Sequence, residues 1–268
     1  MHVKFQTLLC GASASRKKGI CFTRSTFRCG DFNVLNGVHW FYNWGKSGNM
    51  GCGEEDNFVP MLWNDGFNQP PHLNYPIVLG FNEPNFGEQA NMDPWRAAKS
   101  WIKIQNAYPD KKLVAPAASP GGNNMGPTEW FDQFFAACEQ LGGCRVDYLA
   151  THSYSGCAEC DMRYLKDLYN RYHKKIWFTE FAVPNTHDIG KVFDYMGTML
   201  YNLEEADYVE RYSWFMAKWD HNKQIIGDET KTGWYLSSIN SLFIPGTSEL
   251  SALGRFYNDY THKSNKVV

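Results

Sequence analysis

The stretch Ile77-Val78-Leu79-Gly80-Phe81-Asn82-Glu83-Pro84-Asn85 decides the fold class. A near-continuous apolar run leads into an amide, a carboxylate and a proline. Such a run suits a parallel strand covered on both faces. Pro84 has no backbone donor and stops it. Glu83 therefore stands where a buried strand opens onto its loop. The run Ile176-Trp177-Phe178-Thr179-Glu180-Phe181-Ala182 has the same grammar and gives Glu180 an equivalent position.

Outward from these two, apolar runs recur along the chain. They cover Gly19 to Thr23, Val38 to Tyr42, Phe58 to Trp63, Pro76 to Phe81, Lys112 to Ala115, Val146 to His152, Lys175 to Phe181 and Glu210 to Phe215, eight in all. Helical patterns fill the later gaps. Asp93-Pro94 can cap and open a helix through Trp101 to Asn106. Thr128 can cap Glu129 to Gln140, closed by Gly142 and Gly143. Met162 to His173 and Lys191 to Leu203 also read as helices, and Ser248 can cap a last one through Leu253 and Tyr257. Alternating strands and helices predict an α/β fold, and eight strands predict a (β/α)8 TIM barrel.

The early gaps are leaner. Gly45 to Asn57 is rich in glycine and polar residues, and Asn64 to Tyr75 contains Pro70 and Pro71. The second and third helices are expected to be reduced or missing. A doubly wound open sheet is the alternative. It needs a phosphate-binding glycine loop after the first strand, and Thr23-Arg24-Ser25-Thr26 is not one. With no internal repeat or long polar linker, the expectation is a single domain over 1-268. It has an N-terminal extension at 1-16 and a core at about 17-260.

The chain has 268 residues and a net charge of −2, so no polybasic footprint for nucleic acid or anionic membrane is present. No apolar run approaches the ~20 residues of a membrane span. Met1 to Ser15 makes a poor secretory signal because its apolar centre is too short. Eight cysteines, an even count, favour an oxidising compartment. Cys138 with Cys144 and Cys157 with Cys160 are the expected pairs, with Cys29 and Cys52 as a weaker third. Cys157-Ala158-Glu159-Cys160 could instead be half of a zinc site, but no second such motif is present. A redox role is disfavoured on the expectation that this motif does not open a helix.

In a barrel the active site lies at the C-terminal ends of the strands. Glu83 and Glu180 both fall there, remote in sequence, and both side chains can face the same mouth. Acetal hydrolysis needs a carboxylic acid to protonate the leaving oxygen. It also needs a carboxylate to attack or stabilise the anomeric carbon. The bland alternative for either residue alone is a solvated or salt-bridged loop glutamate.

At these residues the sequence resembles a known family. Leu79-Gly80-Phe81-Asn82-Glu83-Pro84-Asn85, Thr151-His152-Ser153-Tyr154, Trp177-Phe178-Thr179-Glu180-Phe181 and Ala252-Leu253-Gly254-Arg255 look like glycoside hydrolase family 128. The resemblance runs from about Lys17 to Tyr257. It implies a retaining barrel glycosidase acting on β-1,3-glucan, with Glu83 as acid/base and Glu180 as nucleophile. It also implies that Asn82 contacts the sugar 2-hydroxyl. Trp214 matches the tryptophan that floors the cleavage subsite across the clan.

The surrounding residues complete the expected site. Tyr154 could donate to Glu180 and hold it charged; His152 is either a site residue or a satisfied core histidine. Trp40, Trp44, Trp63 and Trp214 sit at or past strand ends and suit stacking on sugar rings. Asn43, Asn64 and Asp65 could add hydroxyl contacts. Lys18 and Lys218 are cations expected near the mouth, either functional or solvated. The implied protein is a secreted or cell-surface endo-β-1,3-glucanase, monomeric, without metal or cofactor, whose partner is a β-1,3-glucan chain. The alternatives are a non-catalytic β-glucan-binding protein on the same scaffold, or a clan member acting on β-1,4-glucan or mannan.

Overall fold

The computed structural model describes residues 15–51, 57–223 and 225–262. Seven parallel strands form one curled sheet: β1 (Lys18–Cys21), β2 (Trp40–Tyr42), β3 (Ile77–Leu79), β4 (Lys112–Ala118), β5 (Tyr148–Ser153), β6 (Ile176–Phe181) and β7 (Val209–Trp214). Their spatial order is β2-β1-β7-β6-β5-β4-β3, which leaves β2 and β3 as the two edges.

The expected third strand, Phe58 to Trp63, lies between those edges but makes only isolated parallel bridges, Phe41 to Phe58 and Met61 to Leu79. Val59 N–H donates to the Phe41 carbonyl, and Leu62 N–H to that of Leu79. Pro60 has no N–H to continue a ladder in the middle of this run. The expected third strand is therefore not formed as a ladder, and the sheet curls like a TIM barrel without full closure.

The helices follow local signals. Asp93 caps α2 (Pro94–Ala107) by accepting from Arg96 N–H at 2.9 Å. The start of α3 (Pro127–Gln140) is set by Gly126 and Pro127 rather than Thr128, because proline suits the first helical position. Gly142 and Gly143 follow it with φ of 94° and 102°. Helix α4 (Ala158–Tyr172) begins on Cys157 and ends on His173 with φ of 52°. Helix α5 spans Ile189–Glu205. The last helix, α6 (Ala252–Asp259), is capped by Ser251 and not Ser248; Ser251 Oγ accepts from Gly254 N–H at 3.0 Å. The short helix α1 (Cys29–Phe32) and an antiparallel hairpin of β8 (Ile225–Asp228) and β9 (Trp234–Ser237) were not expected. Among the described residues of 45–57 and 64–75 there is no α-helix, in line with the lean early gaps.

Two disulfides, Cys138–Cys144 and Cys157–Cys160, match the expected pairs. The proposed Cys29–Cys52 pair involves Cys52, which lies outside the described residues. Cys157 is the residue that caps α4, so the Cys-x-x-Cys motif does open a helix, contrary to expectation.

Aromatic side chains fill the sheet interior from floor to rim. Trp40 lies at the floor, 5.0 Å from Trp177, with its indole N–H on the Lys17 carbonyl. Gly19 makes room for it: a Cβ there would sit 2.2 Å from the indole. Trp40, Tyr42 and Trp44 then rise in steps of two residues along one strand face, with ring centroids 5.9 and 5.3 Å apart. Among the described residues, no helix is long and apolar enough to cross a membrane.

Candidate active site

Glu180 is turned into the interior by a break in strand register. Thr151 pairs with Phe178 while His152 pairs with Glu180, so β6 carries one extra residue opposite β5. Such a bulge re-aims the side chains that follow it. Phe178 and Phe181 stack together at 4.8 Å, and Phe181 packs on Tyr195 of α5, on the other side of the sheet. Glu83 follows β3, with its N–H on the Ala117 carbonyl at 3.1 Å. Its φ is 39°, in the left-handed region that a glutamate seldom adopts. The next turn is tied down by Asn85, which bonds the Ser119 and Met125 carbonyls and accepts from Ser119 N–H.

His152 joins the two acids. Its Nδ1 lies 2.8 Å from Glu83 Oε1 and 3.4 Å from Glu180 Oε2. One donor atom from each of the three residues falls within 4.8 Å of the others. These are the described residues that could converge on a cation. His152 Nδ1 is engaged with Glu83, while its buried Nε2 has no hydrogen-bond partner among the described residues. Burial opposes a charged His152, but the Glu180 charge and the Glu83 bond outweigh it and leave its pKa raised.

Glu180 accepts from Tyr154 Oη on Oε2 and from Trp44 Nε1 on Oε1 at 2.7 Å, and Tyr42 Oη lies 3.3 Å from Oε1. Burial pushes its pKa up and the Glu83 charge adds to this, while His152, Tyr154 and Trp44 pull it down. An indole N–H can only donate, so Oε1 must accept. With acceptor bonds on both oxygens, the geometry favours the carboxylate. Burial pushes the phenols of Tyr42 and Tyr154 well above their usual range, and the Glu180 charge adds to it, so both keep their protons and donate.

A cleft of about 880 Å³ opens above this cluster. Its lining includes Trp44, Trp63, Asn82, Tyr154, Glu180, Phe215 and Trp234. Glu83 lies beside it with a side chain 11% exposed. Asn82 Nδ2 donates to Gln89 at 3.2 Å, while its buried Oδ1 has no protein partner.

Several expected site residues lie elsewhere. Trp40 is interior floor, not a platform. Trp214 is fully buried on the helix side, between Phe181 and Tyr195, with its N–H on the Asn240 carbonyl. The next residue, Phe215, faces the cleft in its place. Asn43 shapes a turn, accepting from Gly45 N–H and donating to the Ser47 carbonyl. Asn64 likewise accepts from Gly66 N–H, and Asp65 pairs with Arg96. Neither lysine is at the mouth. Lys18 is buried at the floor, bonded to the carbonyls of Tyr257, Asn258 and Tyr260. Lys218 is buried against Asp31 at 2.9 Å.

Tyr42, Phe215 and Trp234 were missed. Tyr42 was legible from period-two alternation with Trp40 and Trp44. Phe215 gave no such signal, because it lies just past the end of β7, where alternation no longer applies. Trp234 had no strand-end signal, because its hairpin lies outside the main sheet.

A curled parallel sheet with two acids and a shared histidine under an aromatic cleft defines the class of barrel glycoside hydrolases. The profile described as glycosyl hydrolase catalytic core matches residues 19–257. The chain belongs to that family, and within it to glycoside hydrolase family 128.

Similar solved structures include a subgroup II endo-β-1,3-glucanase from Sorangium cellulosum. It is 28% identical, with a TM-score of 0.74, covering 90% of this chain and 97% of that one. A subgroup I endo-β-1,3-glucanase variant from Amycolatopsis mediterranei, in complex with laminarihexaose, is 26% identical with a TM-score of 0.71, covering 91% and 99%. A subgroup V exo-β-1,3-glucanase from Cryptococcus neoformans is 25% identical with a TM-score of 0.72, covering 92% and 100%. A search of curated proteins finds no match.

Proposed function

We propose that this chain is a secreted, monomeric β-1,3-glucanase that cleaves within the glucan chain and retains anomeric configuration. The observation that carries the reading is the approach of the two acids: oxygens of Glu83 and Glu180 lie within 4.8 Å. Retaining enzymes hold their carboxyls ~5–5.5 Å apart, and inverting ones ~6.5–9.5 Å to admit a water. The substrate class is supported by the similar structures, which are β-1,3-glucanases. An oxidising compartment is supported by the two disulfides.

In this reading Glu180, held as a carboxylate by Tyr154 and Trp44, attacks the anomeric carbon. Glu83 gives its proton to the leaving oxygen, then takes one from the water that releases the glycosyl-enzyme. His152 Nδ1 is within reach of both acids, so the charge on each acid affects the other through it. The unpartnered Asn82 Oδ1 suits a donor such as the sugar 2-hydroxyl. The cleft volume is near the upper end of small-molecule sites, ~300–1,000 Å³, which favours several sugar rings over one and hence internal cleavage.

Incubating the protein with laminarin tests the activity, the internal cleavage and the retention. The expected early products are a range of oligosaccharides whose reducing ends start in the β configuration by NMR. Release of glucose alone would reject internal cleavage, and an initial α signal would reject retention. No product at all would favour the non-catalytic glucan binder.

A further inference from the structure

We propose that Trp44 is a positioning residue for Glu180, acting through its indole N–H and not only as a surface for sugar rings. The proposal rests on the reading of Glu180 as the nucleophile.

The Trp44 Nε1 lies 2.7 Å from Glu180 Oε1. Tyr42 also approaches this oxygen, but at 3.3 Å, and its hydroxyl is closer to the Thr179 carbonyl at 3.0 Å. A hydroxyl has one proton to give, and the shorter contact claims it. Among the described residues, Trp44 is therefore the main donor on Oε1, as Tyr154 is on Oε2. No lysine or arginine of the described residues pairs with Glu180. Neutral aromatic donors, helped by His152, hold this carboxylate.

The placement of the indole is built into the backbone. Trp44 has φ of 56°, a conformation unfavourable for a bulky residue that persists only where surroundings enforce it. Asn43 enforces it: its Oδ1 accepts from Gly45 N–H and its Nδ2 donates to the Ser47 carbonyl, both at 3.1 Å. The ring is then wedged edge-on between Tyr42 at 5.3 Å and Phe215 at 5.9 Å. A residue serving only as a platform has no need of a strained backbone aimed at a buried acid. Asn43, which makes no contact with the cleft, gains a role as the turn that aims Trp44.

Trp44→Phe keeps a ring and removes the N–H. The groups facing Glu180 from every packed element are Cys21 of β1, Tyr42 of β2, Glu83, His152 and Tyr154. All stay in place, so a change in the pH profile reports the lost donor. The expected result on laminari-oligosaccharides is a fall in kcat of about 10- to 100-fold, the worth of one hydrogen bond to a charged group. KM should change less than about threefold, and the acid limb of kcat/KM should move to higher pH, since a lost donor disfavours the charged form. A raised KM with unchanged kcat and limb would mean a platform only and overturn the proposal. Should Trp44→Phe fail to fold by near-UV circular dichroism, Asn43→Ala reads the same point. It frees the turn but leaves the indole, and must still lower kcat and shift the limb; a wild-type profile would reject the idea. Glu180→Gln is the control. If it stays active, the nucleophile reading falls. If it is inactive while Trp44→Phe is normal, only the positioning role falls.

Discussion

Glu180 is buried at a place where burial opposes its charge, and this has a measurable consequence. Its raised pKa means the folded state holds the proton more tightly than the unfolded chain. Stability is then lost as pH rises from the unfolded value of about 4.3 through the folded one. Glu180→Gln carries no charge, so its Tm relative to wild type should be higher at pH 7 than at pH 4. An equal difference at both values would contradict the assigned shift. Glu83 permits a chemical test. Glu83→Ala should lower hydrolysis of laminarin by about 10²- to 10⁴-fold. It should still react with an aryl glycoside whose leaving group needs no proton, and azide should speed its turnover. No azide effect would argue against Glu83 as acid/base. Both glutamates, with Asn82, His152 and Tyr154, were legible because each lies at or just after a strand end. Phe215 was not, because the turn after β7 decides whether it or Trp214 faces the cleft.

At the scale of elements, α4 is pinned at its first turn next to catalysis. Cys157 and Cys160 are bonded there, and Asp161 follows. The buried Asp161 accepts from Ser153 Oγ at 2.5 Å and Tyr195 Oη at 2.6 Å, tying β5 to α4 and α5. Tyr154 is the neighbour of Ser153, so this knot holds a donor to Glu180. The Cys157→Ser/Cys160→Ser double variant should lose about 2 kcal/mol in urea unfolding, the loop-closure value for so short a ring. The β8–β9 hairpin is tied to the sheet by Asn185, which accepts from Tyr235 N–H at 2.9 Å. It carries the partly exposed Trp234 to within 5.8 Å of Tyr154. Trp234→Ala should raise KM for oligosaccharides several-fold and leave kcat nearly unchanged. A change in kcat alone would argue against a stacking role. Helices α2 to α5 were legible from periodicity within about four residues of their starts. The hairpin was not: Ile225–Asp228 is short and pairs only locally.

Across the whole molecule, buried lysines join elements that are remote in sequence. Lys18 in β1 bonds three carbonyls at the end of α6, and Lys218 after β7 meets Asp31 in α1. Burial lowers the Lys18 pKa to about 8. The second pair is almost wholly enclosed, with side chains 2% and 0% exposed. Lys218→Met should cost about 3–5 kcal/mol, because Asp31 would be left charged and unpaired. Adding Asp31→Asn should recover part of the loss; no recovery would mean the cost is packing alone. A lysine in an apolar stretch gives no sign of which carbonyls or acid it will reach, so both were expected at the mouth.

The sequence alone determined the parallel apolar strands, the lack of early α-helices among the described residues, two disulfides and the two acids at strand ends. These are set by neighbours along the chain: alternation, proline stops and short ring closures. Only the tertiary structure decided that Pro60 leaves the sheet open, that a bulge at β6 turns Glu180 inward, and which tryptophans reach the cleft. Those outcomes depend on register between strands far apart in sequence, where a shift of one residue exchanges the two faces.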